Sequence, residues 1–288
     1  LKQIGNDALT GNVKRPDLES NDIAKLWQGQ STELLKQLHI LTREGKLNQD
    51  SRRKLKQIYH LVQLIEPFVE LAYQKLSSPQ ILDMGAGKSY LGFMIYDLLL
   101  RQHSEGNLIA VESRKELVQR SKEIAQMSGF SRLKFIESSI EQLTWTQTQA
   151  PALVMALHAC DTATDDALYF GLKHKAECFA LVPCCQAEVA RLLNETPTTV
   201  VSCLWDFPLH RREFGSHLTN VIRTLTLQSL GYSVTVTELV GWEHSMKNEL
   251  ILAKKTGNKN PRAQKELSQL LDQIKVKPKL LRLLEANS

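Results

Sequence analysis

Residues 81–92 read Ile81-Leu82-Asp83-Met84-Gly85-Ala86-Gly87-Lys88-Ser89-Tyr90-Leu91-Gly92. An apolar run ends in an acid, two glycines make a turn, and a second apolar stretch opens behind them. The pattern predicts a strand, a tight turn and a helix. Glycine at such a turn lets backbone approach a ligand where a Cβ would collide, and the helix start offers N–H groups without partners. A dinucleotide fingerprint needs glycine at position 90, where Tyr90 stands. A Walker A loop could use Gly87-Lys88-Ser89 as its second half, but its first glycine would fall on Leu82, inside the strand. Both readings fail on spacing.

Outward from this turn, short apolar runs alternate with helical stretches, the mark of βα units and a parallel sheet. Strands are expected at Gln80–Met84, Asn107–Glu112, Leu133–Glu137, Leu153–Leu157 and Cys178–Val182, with helices near 89–102, 114–127 and 163–174. An irregular stretch, 183–212, leads to a long helix near 214–230 that ends at Gly231. Two last strands, Ser233–Val240 and Glu249–Lys254, flank Gly241-Trp242-Glu243-His244 and form an antiparallel end. Upstream of Pro79, residues 20–77 carry helical periodicity (Leu34, Leu35, Leu38 and Leu41; Leu55, Ile58, Leu61, Val62 and Ile65), read as about three helices. The fold class is therefore α/β: a Rossmann-like seven-stranded sheet with a helical N-terminal segment (1–78), a central domain (79–256), and a basic linker with a short helical tail (257–288).

Five parallel strands, a helix and an antiparallel pair is the class I methyltransferase order. Combined with D-x-G-x-G and an acid ending the second strand, it assigns S-adenosylmethionine as cofactor. Asp83 is expected to hold the methionine ammonium, Gly85, Gly87 and Lys88 to form the turn, Glu112 to accept the ribose hydroxyls, and Ser139 and Ile140 to flank adenine. A glycine turn in a non-binding Rossmann fold is the bland alternative.

The 288 residues allow one large domain with appendages, or two small domains. No apolar run reaches the roughly 18 residues that a membrane helix needs, so no membrane role is expected. Leu1–Asp7 offers no apolar signal core and no initiator methionine, which suggests a processed or trimmed chain. Five cysteines do not form a disulfide lattice, and they predict thiols in a reducing cytoplasm. Net charge is only +5, yet it is concentrated in two flanks. Residues 42–56 hold Arg43, Lys46, Arg52, Arg53, Lys54 and Lys56, and residues 254–282 are similarly basic, so the rest is acidic on balance. Basic flanks suit a polyanion such as RNA, and they equally suit solvated helix faces.

Ligands of open α/β sheets lie at the carboxyl ends of the strands, so the segments after strands four and five should face the methyl acceptor. These are His158-Ala159-Cys160-Asp161-Thr162-Ala163-Thr164-Asp165 and Pro183-Cys184-Cys185-Gln186. No Asp/Asn-Pro-Pro-aromatic motif follows strand four, which counts against a plain exocyclic-amine methyltransferase. Asp83–Leu91, His158–Asp165 and the Cys184-Cys185 pair resemble the methyltransferase domain shared by tRNA ribose 2′-O-methyltransferases, several methyltransferase-like proteins and the methyltransferase part of glutathione-S-transferase-like fusion proteins. The resemblance covers roughly residues 55–255. That family commonly has Gly-Lys-Gly-Tyr-Leu where this chain has Gly87-Lys88-Ser89-Tyr90-Leu91, and glycine where Asp161 stands. The resemblance implies the fold, the cofactor and an RNA substrate.

The expected function is methylation of RNA, rRNA or tRNA, by direct transfer to oxygen or nitrogen, with His158 or Asp161 as base and Cys184 beside them. His210, Arg211 and Arg212, with Arg52 and Arg53, are the candidate substrate contacts. Packing, metal binding and nucleophilic attack all stay open for Cys184 and Cys185, although no C-x-x-C supports a metal. A protein or small-molecule acceptor, or a silent RNA-binding module with this fold, are the alternatives.

Overall fold

The structure, a computed structural model, describes residues 26–157, 159–184, 186–196, 200–239 and 249–286. Its centre is a seven-stranded sheet of order β3-β2-β1-β4-β5-β7-β6. The strands are β1 (Gln80–Met84), β2 (Asn107–Glu112), β3 (Leu133–Glu137), β4 (Leu153–Ala156), β5 (Cys178–Leu181), β6 (Tyr232–Glu238) and β7 (Glu249–Lys255). The first five run parallel, and β7 pairs antiparallel with both β5 and β6. Strands β1, β4 and β5 are buried at every position, because helices cover both faces of a parallel sheet. The expected strands thus form, to within a residue or two at their ends, while Val240 and Gly241–His244 lie outside the described residues.

Two helices precede the sheet among the described residues, α1 (Thr32–Gln37) and α2 (Gln49–Lys75), where about three were expected. The second runs 27 residues straight through Pro67. An interior proline costs about 3 kcal/mol, but Ile65 and Val69 on either side of it are buried in one cluster with β1, β4 and β5, and that packing holds the helix together. Next come α3 (Tyr90–Ile95), continued by a wider π turn (Tyr96–Leu100), then α4 (Lys115–Met127), α5 (Thr162–Lys173) and α6 (Glu188–Asn194). The long helix α7 (Pro208–Ser229) starts six residues before the expected 214, with proline at a position where no N–H is needed. Gly231 follows its cap at φ 93°, the conformation a helix-ending glycine supplies.

Beyond Gly257 the expected linker and tail are two packed helices, α8 (Pro261–Ile274) and α9 (Lys279–Glu285). Asn260 caps α8 by accepting from the backbone of Arg262 and Ala263. Leu267 and Ile274 of α8 then join Val189, Leu193, Leu218 and Ile222 in a third hydrophobic cluster. Among the described residues no helix is long and apolar enough to cross a membrane.

Candidate active site

The turn after β1 is shaped by close approach. Gly85 sits at φ 69°, and a Cβ there would lie 3.3 Å from the Cβ of Ala159, in the segment after β4. The glycine therefore brings two strand ends together as well as clearing space. Asp83, at 3% exposure, receives no hydrogen bond from any described residue. Burial, with the nearby Glu112 charge second, pushes its carboxyl up to about 7. Glu112 differs. Burial acts to raise it, but Arg114 and the Gly87 N–H hold it below the usual carboxylate range. The Gly87 N–H lies 2.8 Å from its Oε2, and the Arg114 backbone N–H and Nε lie 3.0 and 2.9 Å from its Oε1.

Next to this pair, a cavity of about 190 Å³ is walled by Gly85, Val111, Glu112, Ser139, Ile140 and Asp166, among others. It is mostly apolar and lies off the carboxyl ends of β1, β2 and β3. A buried carboxylate with no partner among the described residues, a glycine turn and an apolar slot fit the ammonium, amino-acid chain and purine of S-adenosylmethionine. Lys88 is exposed at the same turn and bonds to none of the described residues.

On the acceptor side the polar groups bond to one another. Asp161 is not a free base. Its Oδ1 accepts from the backbone of Ala187 and Glu188 at 2.8 and 3.0 Å, and its Oδ2 meets Arg191 at 3.3 Å, which caps α6. Asp165 forms a fully buried pair with Arg223 at 2.8 Å, and Arg223 also donates to the Asp161 carbonyl. Gln186 bonds Asn220 and Ser216, and Asn220 reaches Glu249. Arg223 and Asn220, both on α7, were not foreseen. The signal available was an arginine and an asparagine on the buried face of a helix, where polar side chains need partners.

Cys184 lies beside Cys160, with their Sγ atoms 3.1 Å apart, and His158 and Cys185 lie outside the described residues. Among the described residues no three His, Cys, Asp or Glu side chains are placed to hold a metal. The two positions where the resembled family has glycine, Ser89 and Asp161, adopt φ 52° and φ 50°, backbone that L-residues enter at a cost. The substrate candidates sit on separate elements. Arg52 and Arg53 are exposed on α2; His210 packs edge-on to exposed Phe207 at the start of α7; Arg212 pairs with Glu213. Arg211 pairs with no described carboxylate.

Strand order and glycine turn are those expected from the sequence for a Rossmann-like methyltransferase fold. Residues 53–192 match the model of a methyltransferase-domain family. The chain is similar to glutathione S-transferase C-terminal domain-containing proteins of Bos taurus and Homo sapiens, each 24% identical over 236 residues. Those matches cover 74% of this chain and 35% of the relative, so the chain spans about a third of the length of the curated relatives it matches. Among solved structures, a putative O-methyltransferase from Klebsiella pneumoniae aligns at 15% identity and TM-score 0.47, over 81% of this chain and 93% of its own. An rRNA methylase from Streptococcus thermophilus aligns at 11% identity and TM-score 0.44, over 67% and 95%.

Proposed function

We propose that the protein methylates RNA, rRNA or tRNA, by direct transfer to an oxygen or nitrogen. S-adenosylmethionine supplies the electrophilic methyl group. Asp83, ionised by the approach of the methionine ammonium, binds that end, and the Gly85 turn admits the chain behind it. Glu112 takes the ribose hydroxyls as the exposed Arg114 side chain yields, and Ile140 packs on adenine. Asp161 holds α6 and the loop after β4 in register, so the rate comes from alignment of acceptor and methyl carbon more than from a strong base.

The observation that carries the RNA reading is a cavity of about 620 Å³ between α1, the loop after it and α4, lined by Lys36, His39, Arg43 and Arg120 beside Glu33. Lys36 and Arg43 have no ion-pair partner among the described residues. Lys36 (whose charge acts on Glu44), Arg43 and Arg120 (which pairs with Glu123) give this concave surface cations that suit backbone phosphates. The Phe207–His210 pair with Arg211 adds an aromatic and cationic ledge of the kind on which bases stack. The C-terminal flank supports this less than expected, because Lys255, Arg262, Lys277, Lys279 and Arg282 are all paired with carboxylates.

The test is transfer of labelled methyl groups to total RNA from a strain lacking the gene, with the nucleoside identified by mass spectrometry. One labelled nucleoside is expected; label in protein or small molecules instead would overturn the RNA reading. Replacing Lys36, Arg43, Arg52 and Arg53 with serine should also flatten the salt dependence of RNA binding by a log–log slope of up to about 3. Salt-dependent RNA binding without any turnover would identify a silent binding module.

A further inference from the structure

The C-terminal helix reaches the cofactor cavity from outside the matched domain. Lys279, the first residue of α9, places its Nζ 2.8 Å from the carboxylate of Asp166, a residue of the cavity wall, and also bonds Glu141 of the same wall. Its own backbone N–H donates to Glu188 at 2.9 Å, and Arg282, one turn along, bonds the other oxygen of Glu188 at 2.6 Å. Helix α9 is thereby fastened to α5, to the loop after β3 and to α6.

The polar groups on that wall are not equally available. Glu112, bonded to Gly87 and Arg114 in the free protein, is the group assigned to the ribose hydroxyls. The Ser138 hydroxyl donates to the Ser139 carbonyl, and Ser139 accepts from the Gln142 backbone. The Glu141 side chain is 62% exposed, whereas that of Asp166 is 9% exposed. A purine entering the slot carries one exocyclic donor, and a fixed buried acceptor is what reads such a donor. We propose that Asp166 accepts a hydrogen bond from the 6-amino group of the cofactor's adenine and that Lys279 is the positioning residue that holds it in place. This rests on the cofactor assignment and not on the RNA reading. A carboxylate has lone pairs enough for both the ammonium and the amine. The Lys279 charge also keeps Asp166 an acceptor, because burial alone raises the Asp166 carboxyl above its ordinary range and Lys279 acts against that.

The experiment is calorimetric titration of the full chain with S-adenosylhomocysteine and with its 6-oxo analogue, S-inosylhomocysteine. The wild-type protein should prefer the adenosyl compound by about tenfold or more, the loss expected when a charged acceptor meets a carbonyl. Asp166→Asn should bring the ratio to within about threefold or reverse it, because its amide can donate to the 6-oxo group. Lys279→Met should narrow the ratio in the same direction, and Lys279→Arg should restore it. Thermal melts of each variant show that the fold is kept, and if Asp166→Asn does not fold, the two Lys279 variants decide. An unchanged ratio in folded Asp166→Asn, or in Lys279→Met, would overturn the proposal. Absence of binding of either compound to the wild-type protein would overturn the cofactor assignment and the proposal with it.

Discussion

At the ends of β1 and β2 the structure leaves Asp83 without a described bonding partner and places Glu112 on the wall of a cavity; beyond the end of β4, Asp161 and Asp165 at the start of α5 are enclosed in hydrogen bonds to α6 and α7. Both regions are rich in short polar side chains after a strand, and sequence alone reads both as chemical. Availability separates them. An unsatisfied buried carboxylate is costly until something cationic arrives, whereas a carboxylate with three donors holds a loop in place.

The largest expected effect lies on the enclosed side. Removing one partner of the buried Asp165–Arg223 pair, as in Arg223→Met, should destabilise the protein by about 3–5 kcal/mol in denaturant unfolding, because the remaining charge is stranded. A loss under about 1 kcal/mol would mean that Asp165 is as free as Asp83 and erase the contrast.

On the open side the sign is reversed. The Asp83 carboxyl is raised to about 7, so without ligand the native state holds its proton through the range in which the unfolded chain, near 4, has lost it. Stability of the free protein should therefore fall between about pH 4 and 7, and Asp83→Asn should be more stable than wild type at pH 8 by about 2 kcal/mol. Affinity for S-adenosylhomocysteine should run the opposite way, weakening by up to about tenfold per pH unit below 7 as Asp83 protonates. Binding that is flat from pH 5.5 to 8 would remove Asp83 from the ammonium site.

A smaller effect sharpens the boundary between the two regions. Ser89, at φ 52°, and Asp161, at φ 50°, both occupy glycine-like backbone, but of the two only Asp161 bonds other described residues through its side chain. Ser89→Gly should change stability by less than about 1 kcal/mol and in the favourable direction. Asp161→Gly should be destabilising on balance because the cap of α6 is lost, by about 1–2 kcal/mol. Equal responses in melts of the two variants would show that backbone strain, and not capping, governs position 161.

Why one half was legible and the other was not follows from how far apart its partners are in sequence. The strands and the glycine turn are local: apolar runs bounded by Gly85, Gly106 and Gly231 state their own ends. Asp83 and Glu112 close on each other across one βα unit. Asp165, by contrast, is completed by Arg223, and Gln186 by Asn220, from a helix 34–58 residues downstream. Asp166 is completed by Lys279, 113 residues away. No local spacing encodes these partners, so Asp161 read as a base when it is a cap. The start of α7 was missed for a local reason: residues 207–210 and 212 are exposed, Arg211 is half-buried, and no apolar period shows until the helix meets the core at Gly215 and Leu218.

The most direct test is a paired titration of Asp83→Asn and Asp161→Ala with S-adenosylhomocysteine at pH 8. Asp83→Asn should lose about 30-fold or more in affinity, the equivalent of a charged hydrogen bond at a buried site, while Asp161→Ala stays within about threefold of wild type. The reverse ranking, with Asp161→Ala losing the ligand and Asp83→Asn keeping it, would contradict the assignment of the two regions.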